Sequence, residues 1–312
     1  MCTVIALVKN GLFFGRNMDI DYDPGLKIVA MPREFPLTTK RAGALLKHYA
    51  IIGAASVEDG YPLYAEACNE KGLCMAGLNF PFNAKYADRA EKEKIAVTPY
   101  ELIPYVLGKC ADITEARKLF ENTEIIGIPF KESLPLAPLH WIVADRSGSF
   151  VIERTDKGVS LYDDPCGVLT NNPPFPSHLE NIERYKALSV ENSKNTCSRV
   201  DYSTFSEGEG ALGLPGDFSS PSRFVKAWFC LKNSVCGESM TEKVAQTFRI
   251  LNAVAMTKGS VVTRSGNLDQ TTYSCCIDAE NAVYYYKTYD GLNVNCVRIN
   301  DTDGSALEVT DM

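Results

Sequence analysis

Alternation of apolar and polar positions dominates the first third of the chain. Short β-like runs cover Thr3 to Val8, Leu12 to Phe14 and Lys27 to Met31. The Asn10-Gly11 pair between the first two is a dipeptide favoured in two-residue hairpin turns. A hairpin therefore opens a sheet, and the Gly15 to Asp19 segment follows just after it. Further runs lie at Tyr49 to Ser56 and, after an Asn69-Glu70-Lys71-Gly72 turn, at Leu73 to Leu78. Ile51-Ile52-Gly53-Ala54-Ala55 is apolar almost throughout, the pattern of a strand covered on both faces.

Helical spacing takes over at Thr98-Pro99, where Thr98 can cap and Pro99 can take the first helical position. It recurs from Asp112 to Phe120, with Ile113, Ala116, Leu119 and Phe120 on one face. Strands resume at Leu139 to Ala144, Ser149 to Arg154, Gly158 to Tyr162 and Gly167 to Thr170, reading as an antiparallel meander. Helices are predicted for His178 to Leu188, Ser222 to Leu231 and Thr241 to Leu251, and strands for Thr271 to Ile277 and Ala282 to Tyr289. Blocks of strands thus alternate with blocks of helices without a strict βαβ rhythm. That order predicts an α+β fold in which antiparallel sheets are layered with helices. With no repeat and no convincing linker, residues 1–312 read as one domain. The segment 197–217 lacks periodicity and reads as a loop or extended hairpin, with a part in subunit assembly as its second reading.

Composition narrows the partners. The chain is 45% hydrophobic and 23% charged with a net charge of -7, and no cluster of Lys or Arg is interleaved with aromatics. Nucleic acid is therefore not the expected partner. No apolar stretch approaches the roughly 20 residues a membrane helix needs, and the amino terminus lacks a basic leader, so no membrane association and a cytoplasmic location are expected. Eleven cysteines is an odd number in a long chain, which predicts reduced thiols rather than a disulfide framework. There is no Cys-x-x-Cys pair, and His48, His140 and His178 are scattered, so no metal and no cofactor are expected.

Candidate chemistry starts at Cys2. Its side chain is small enough for Met1 to be trimmed, which would leave a thiol and a free α-amine on one residue, a nucleophile with its own base. An α-amine titrates ordinarily near about 7.7 to 8, where a general base works at neutral pH. A cysteine that merely follows Met1 is the competing reading. Gly15-Arg16-Asn17-Met18-Asp19 bears on the choice: Arg16 can favour a thiolate and Asp19 can anchor an amine, although a surface turn with an ion pair has the same composition. Asn79 and Asn171 end predicted strands, and Arg223 opens a predicted helix. Amides at strand ends can donate to an oxyanion or simply serve a turn. None of the three histidines sits in a motif that would support a papain-like Cys-His pair. His140, before Trp141 in a predicted strand, reads as structural.

Taken together, Met1-Cys2-Thr3, Phe14-Gly15-Arg16-Asn17-Met18-Asp19, Asn69-Glu70-Lys71-Gly72-Leu73, Ala76-Gly77-Leu78-Asn79-Phe80-Pro81, Leu139-His140-Trp141, Val168-Leu169-Thr170-Asn171-Asn172-Pro173, Leu214-Pro215-Gly216-Asp217 and Pro221-Ser222-Arg223-Phe224 resemble, in this order, the choloylglycine hydrolase family of N-terminal nucleophile enzymes. The family comprises bile salt hydrolases and penicillin V acylases. The resemblance implies a four-layer αββα sandwich, an amide hydrolase without cofactor, and a homo-oligomer, specifically a tetramer. It implies that Cys2 is the nucleophile with its amine as base, that Asp19 hydrogen-bonds that amine, and that Arg16 and Arg223 tune the charge around the sulphur. Asn171 through its side chain and Asn79 through its backbone N–H would form the oxyanion hole. Asn79 stands where penicillin V acylases carry Tyr, which favours conjugated bile acids over penicillin V. Met18, Phe130 and Leu134 align with positions lining a steroid pocket, core packing being the alternative for Phe130 and Leu134. From a different class, a non-catalytic small-molecule binding protein could use the same pocket without Cys2.

Overall fold

The computed structural model describes residues 1–192, 206–300 and 302–312. Its frame is two antiparallel sheets. The first runs, in spatial order, Val168–Leu169, β1 (Cys2–Val8), β2 (Leu12–Ile20), Leu268–Asp278, Val283–Thr288 and Asn295–Arg298, with Val261–Val262 paired off Leu268–Asp278. The second runs Gly158–Asp163, Gly148–Thr155, Leu139–Asp145, Cys74–Asn79, Tyr61–Asn69, Ile51–Glu58, Lys27–Met31 and Glu308–Asp311. Val4, Phe14, Ala76, Leu78, Ile142 and Cys275 meet between the sheets as one core. On the outer face of the second sheet, Met75, Trp141 and Ile152 pack on Leu102 and Val106 of α1 (Leu102–Lys109) and Phe120 of α2 (Ile113–Glu121). Beyond the first sheet, after α3 (Phe175–Ile182), lie α4 (Ser220–Lys232) and α5 (Met240–Asn252), where Leu7 and Phe13 pack on Val244 and Phe248 of α5. The expected αββα order is present.

Local sequence explains the elements. Asn10 and Gly11 both take positive φ, as a tight hairpin turn requires, and join β1 to β2 in the register Val4↔Arg16. Gly15 gives the close approach of α5 to β2, because a Cβ there would lie 2.6 Å from Thr247 Cγ2. Asp112 caps α2 by accepting from Glu115 N–H at 2.9 Å, and Ser239 with Glu242 forms a capping box at the start of α5.

Several boundaries differ from the expectation. Gly15 to Asp19 lies inside β2 rather than after it. α1 begins at Leu102, not at Pro99, because the Glu101 carboxylate turns back onto Thr98 N–H at 3.0 Å and closes a separate turn. α3 starts at Phe175 and gives way to a 3₁₀ turn at Glu183–Tyr185, so the helix predicted to Leu188 is shorter and earlier. Val168–Leu169 leaves the meander and pairs with β1 in the other sheet. Tyr61–Asn69 is a strand that the sequence reading missed. Of the segment 197–217, residues 197–205 lie outside the described residues, and the rest contains a short 3₁₀ turn at Glu209–Ala211. Among the described residues no helix is long and apolar enough to cross a membrane.

At Gly53 the second sheet leaves no room for a side chain. A Cβ there would lie 2.1 Å from the Glu66 carbonyl oxygen and 2.5 Å from Ala67 Cβ, so Gly53→Ala must push Ile51–Glu58 and Tyr61–Asn69 apart. Overpacking of this kind costs about 1–3 kcal/mol. Chemical denaturation of Gly53→Ala is expected to show that loss, and an unchanged midpoint would refute the contact.

Candidate active site

Side-chain alternation in the first hairpin sorts the site onto two faces. Cys2 pairs with Met18 and Val4 with Arg16, so Cys2, Arg16 and Met18 point between the sheets, while Thr3 and Asp19 point toward the helices. Arg16 is buried with its guanidinium Nη2 at 3.2 Å from Cys2 Sγ and 3.6 Å from Met18 Sδ. Its Nη1 donates to Glu66 at 2.8 Å and to the Ala65 carbonyl at 2.6 Å. Burial opposes the charge on Arg16, yet Cys2 and Glu66 outweigh it and hold the guanidinium above its ordinary value.

A second guanidinium approaches from the helical side. Arg223, one turn into α4, donates through Nη1 to the Cys2 carbonyl and the Thr3 hydroxyl, both at 2.6 Å, and through Nη2 to Asn171 Oδ1 at 2.9 Å. Its Nη1 lies 3.7 Å from Asp19 Oδ2. Burial pushes the Asp19 carboxyl up, with Arg223 and a 2.6 Å hydrogen bond from the Thr271 hydroxyl acting against it. Burial likewise pushes Arg223 down, and Asp19 resists.

Asn171 follows the strand Val168–Leu169 and closes the group. Its Oδ1 accepts the Cys2 N–H at 2.8 Å and its Nδ2 donates to the Asn79 carbonyl at 2.8 Å. The Ser220 hydroxyl accepts from Asn171 N–H at 2.8 Å, and His178 Nε2 lies 2.9 Å from the Asn171 carbonyl oxygen. Burial drives His178 down to about 4, so the ring is neutral at physiological pH and donates from Nε2. Asn79 faces Leu139 in the register, but Leu139 N–H goes to Tyr86 Oη and the Asn79 carbonyl to Asn171. The pair therefore exchanges no ladder bonds, and Asn79 N–H points off the strand beyond Ala76, where pairing with Tyr61–Asn69 has ended.

All six residues proposed for chemistry thus converge within one site. The expected hydrogen bond from the Cys2 amine to Asp19 belongs to the chain without Met1. With Met1 attached, Cys2 N is an amide bonded to Asn171, and the Asp19 side chain contacts Thr271 and Arg223 rather than Cys2 N. The Met1 amine donates to the Asp19 carbonyl and lies 3.6 Å from the buried Asp269 carboxylate. His140 is structural: its Nε2 is 2.9 Å from the Thr170 carbonyl oxygen and its ring stacks on Phe80 at 4.3 Å. Sequence reasoning missed Glu66, Thr271, Asp269 and Ser220. For Glu66 a signal existed, since an acidic residue among Tyr64, Ala65, Ala67 and Cys68 is out of place in an apolar run.

A cavity of about 1020 Å³ opens onto Cys2 and Arg16, and Met18, Phe130 and Leu134 all line it. Phe130 stands edge-on to Tyr100 at 5.5 Å and tilted against Tyr61 at 5.8 Å, which makes an aromatic wall. Among the described residues no three His, Cys, Asp or Glu side chains gather as a metal would require.

Comparison with known proteins gives the family. A bile salt hydrolase/transferase of Lactiplantibacillus plantarum is 44% identical over 303 residues, covering 96% of this chain and 93% of the relative. One of Clostridium perfringens is 35% identical, covering 99% and 96%. The solved C2A mutant of the C. perfringens conjugated bile acid hydrolase superposes with a TM-score of 0.92 at 33% identity, covering 100% of this chain and 97% of that one. A penicillin V acylase structure from Agrobacterium tumefaciens, 21% identical with a TM-score of 0.79 and covering 99% and 91%, shares the fold. The model of the linear amide C–N hydrolases, choloylglycine hydrolase family, matches residues 2–311, and the chain belongs to that family.

Proposed function

We propose that this enzyme hydrolyses the amide bond of glycine- or taurine-conjugated bile acids through a thioester on Cys2. The observation that carries this is a sulphur 3.2 Å from a buried guanidinium at the wall of a large cavity whose exposed lining is mainly apolar. A rigid hydrocarbon body suits such a cavity, and the relatives at 34–44% identity are bile salt and conjugated bile acid hydrolases. Trimming of Met1 frees the α-amine of Cys2, which takes the thiol proton as the sulphur attacks the amide carbonyl. Arg16 opposes the negative charge on sulphur, and Arg223 holds the Cys2 carbonyl so that the nucleophile does not swing. Asn79 N–H and the second hydrogen of Asn171 Nδ2 receive the developing oxyanion. Collapse expels the amino acid, whose nitrogen takes the proton back from the α-amine. Water, deprotonated by the same amine, then releases the bile acid and restores the thiol. Following the family resemblance, we propose a homotetramer acting in the cytoplasm.

Three measurements test this reading. The wild-type protein is expected to release glycine or taurine from conjugated bile salts faster than it turns over penicillin V, and Cys2→Ala is expected to lose more than about a thousandfold in kcat while staying folded. Residual hydrolysis by Cys2→Ala at the wild-type rate would sink the assignment. Intact mass and activity taken on one preparation check the base: full activity in protein that keeps Met1 contradicts an α-amine role. The two oxyanion donors separate by substitution. Asn171→Ala is expected to lower kcat by about 10²–10³, whereas Asn79→Ala, which keeps its backbone N–H, is expected to lose far less. Equal losses would show that the Asn79 side chain, not its main chain, does the work.

A further inference from the structure

Glu66 is fully buried between the sheets and does not line the cavity, so it meets no substrate. Its carboxylate accepts from the Tyr273 hydroxyl at 2.9 and 3.0 Å, from the Tyr284 hydroxyl, and from Arg16 Nη1 at 2.8 Å, while Cys275 Sγ stands 3.7 Å away. Arg16 is its one ion-pair partner among the described residues. The guanidinium is a rigid planar fork, so fixing one edge fixes the direction of the other. Glu66 and the Ala65 carbonyl hold the Nη1 edge, and the Nη2 edge faces Cys2 Sγ.

We propose that Glu66 is a positioning residue for the nucleophile: by clamping Arg16 at Nη1, with Tyr273 and Tyr284 locking the carboxylate in place, it keeps Nη2 aimed at the Cys2 sulphur. This rests on Cys2 being the nucleophile. Two effects compete when the carboxylate is neutralised. Loss of the clamp lets the guanidinium turn away from sulphur, which slows thiol chemistry. Loss of the negative charge leaves Arg16 unopposed, which speeds it. Orientation wins here because a neutral amide oxygen holds Nη1 more weakly than a carboxylate does, the Ala65 carbonyl is the other partner of Nη1, and Nε has no partner to hold the plane. The charged and titratable groups facing the Cys2 thiol are its own α-amine once Met1 is removed, Arg16 from β2 and Arg223 from α4, with Asp19 and Asp269 acting on Arg223. Those facing Glu66 are Arg16, Tyr273 and Cys275 from Leu268–Asp278, and Tyr284 from Val283–Thr288.

The test is alkylation of Cys2 by iodoacetamide across pH, located by peptide mass, in folded Glu66→Gln and Glu66→Asp. Glu66→Gln is expected to react about tenfold more slowly at neutral pH, with its pH–rate profile moved about one unit to the alkaline side. Glu66→Asp, which keeps the charge, is expected to recover part of that rate. An unchanged profile, or one moved to the acid side, overturns the proposal, because the carboxylate would then only support the fold or only screen Arg16. Should Glu66→Gln fail to fold, the double substitution Tyr273→Phe and Tyr284→Phe carries the test in the same direction, with an unmoved profile as the refuting result. Alkylation needs no bile acid, so the two readings fail separately. A wild-type protein inert to bile salts with a shifted Glu66→Gln profile sinks only the substrate, and normal hydrolysis with an unshifted profile sinks only the role of Glu66.

Discussion

Two guanidinium groups sealed away from water set the terms for the rest of this molecule. Arg16 and Arg223 are each at most 2% exposed, and a charge taken out of water costs several kcal/mol unless protein groups replace the lost hydration. Arg16 is answered by Glu66 and the Ala65 carbonyl. Arg223 is answered by the Phe218 and Cys2 carbonyls, the Thr3 hydroxyl, Asn171 and Asp19. Cys2 sits between them, its sulphur toward one and its carbonyl toward the other. Removing one partner of such a buried pair costs about 3–5 kcal/mol. The energy that keeps the interior intact is therefore the same energy that holds Cys2, and a loosened site would be a loosened protein.

The four layers make that enclosure possible. A strand at an exposed edge could not bury a charge on both faces, but β1 is flanked by Val168–Leu169 and β2, with the second sheet beneath it and α4 and α5 above. Its first residues can then meet Glu66-bound Arg16 on one face and helix-borne Arg223 on the other. The tight Asn10-Gly11 turn fixes the register of the hairpin, and so sets Cys2 against Met18 and Val4 against Arg16.

How much of this was written plainly in the sequence follows from locality. The Asn10-Gly11 turn, the apolar run at Ile51 to Ala55 and the helical spacing from Asp112 to Phe120 are local chemistry, and each appeared where expected. Cys2, Arg16, Asp19, Asn79, Asn171 and Arg223 were legible as a set because a resemblance tied distant segments together, while spacing alone left each with a mundane alternative. Their convergence around Cys2 depends on strand register and on contacts between distant segments, which no single segment carries. Asn295–Arg298 and Glu308–Asp311 were missed because largely exposed strands show no apolar alternation to read.

Tyr61–Asn69 was missed for a more instructive reason. Its pairing slips by one residue at Ala65, so Tyr64 and Glu66, two apart, face opposite sides: Tyr64 packs in the outer core and Glu66 reaches between the sheets. The period of two that reveals a strand is broken there, and the break frees the Ala65 carbonyl for Arg16. Leu268–Asp278 slips in the same way between Thr271 and Tyr273. Without that slip both side chains would share a face. With it, Thr271 meets Asp19 on the helical side while Tyr273 meets Glu66 on the other. The two irregularities that obscure the pattern are thus what bring the supports of both arginines into reach, and they explain why Glu66 and Thr271, which touch the partners of Cys2 rather than Cys2 itself, are hard to find from sequence.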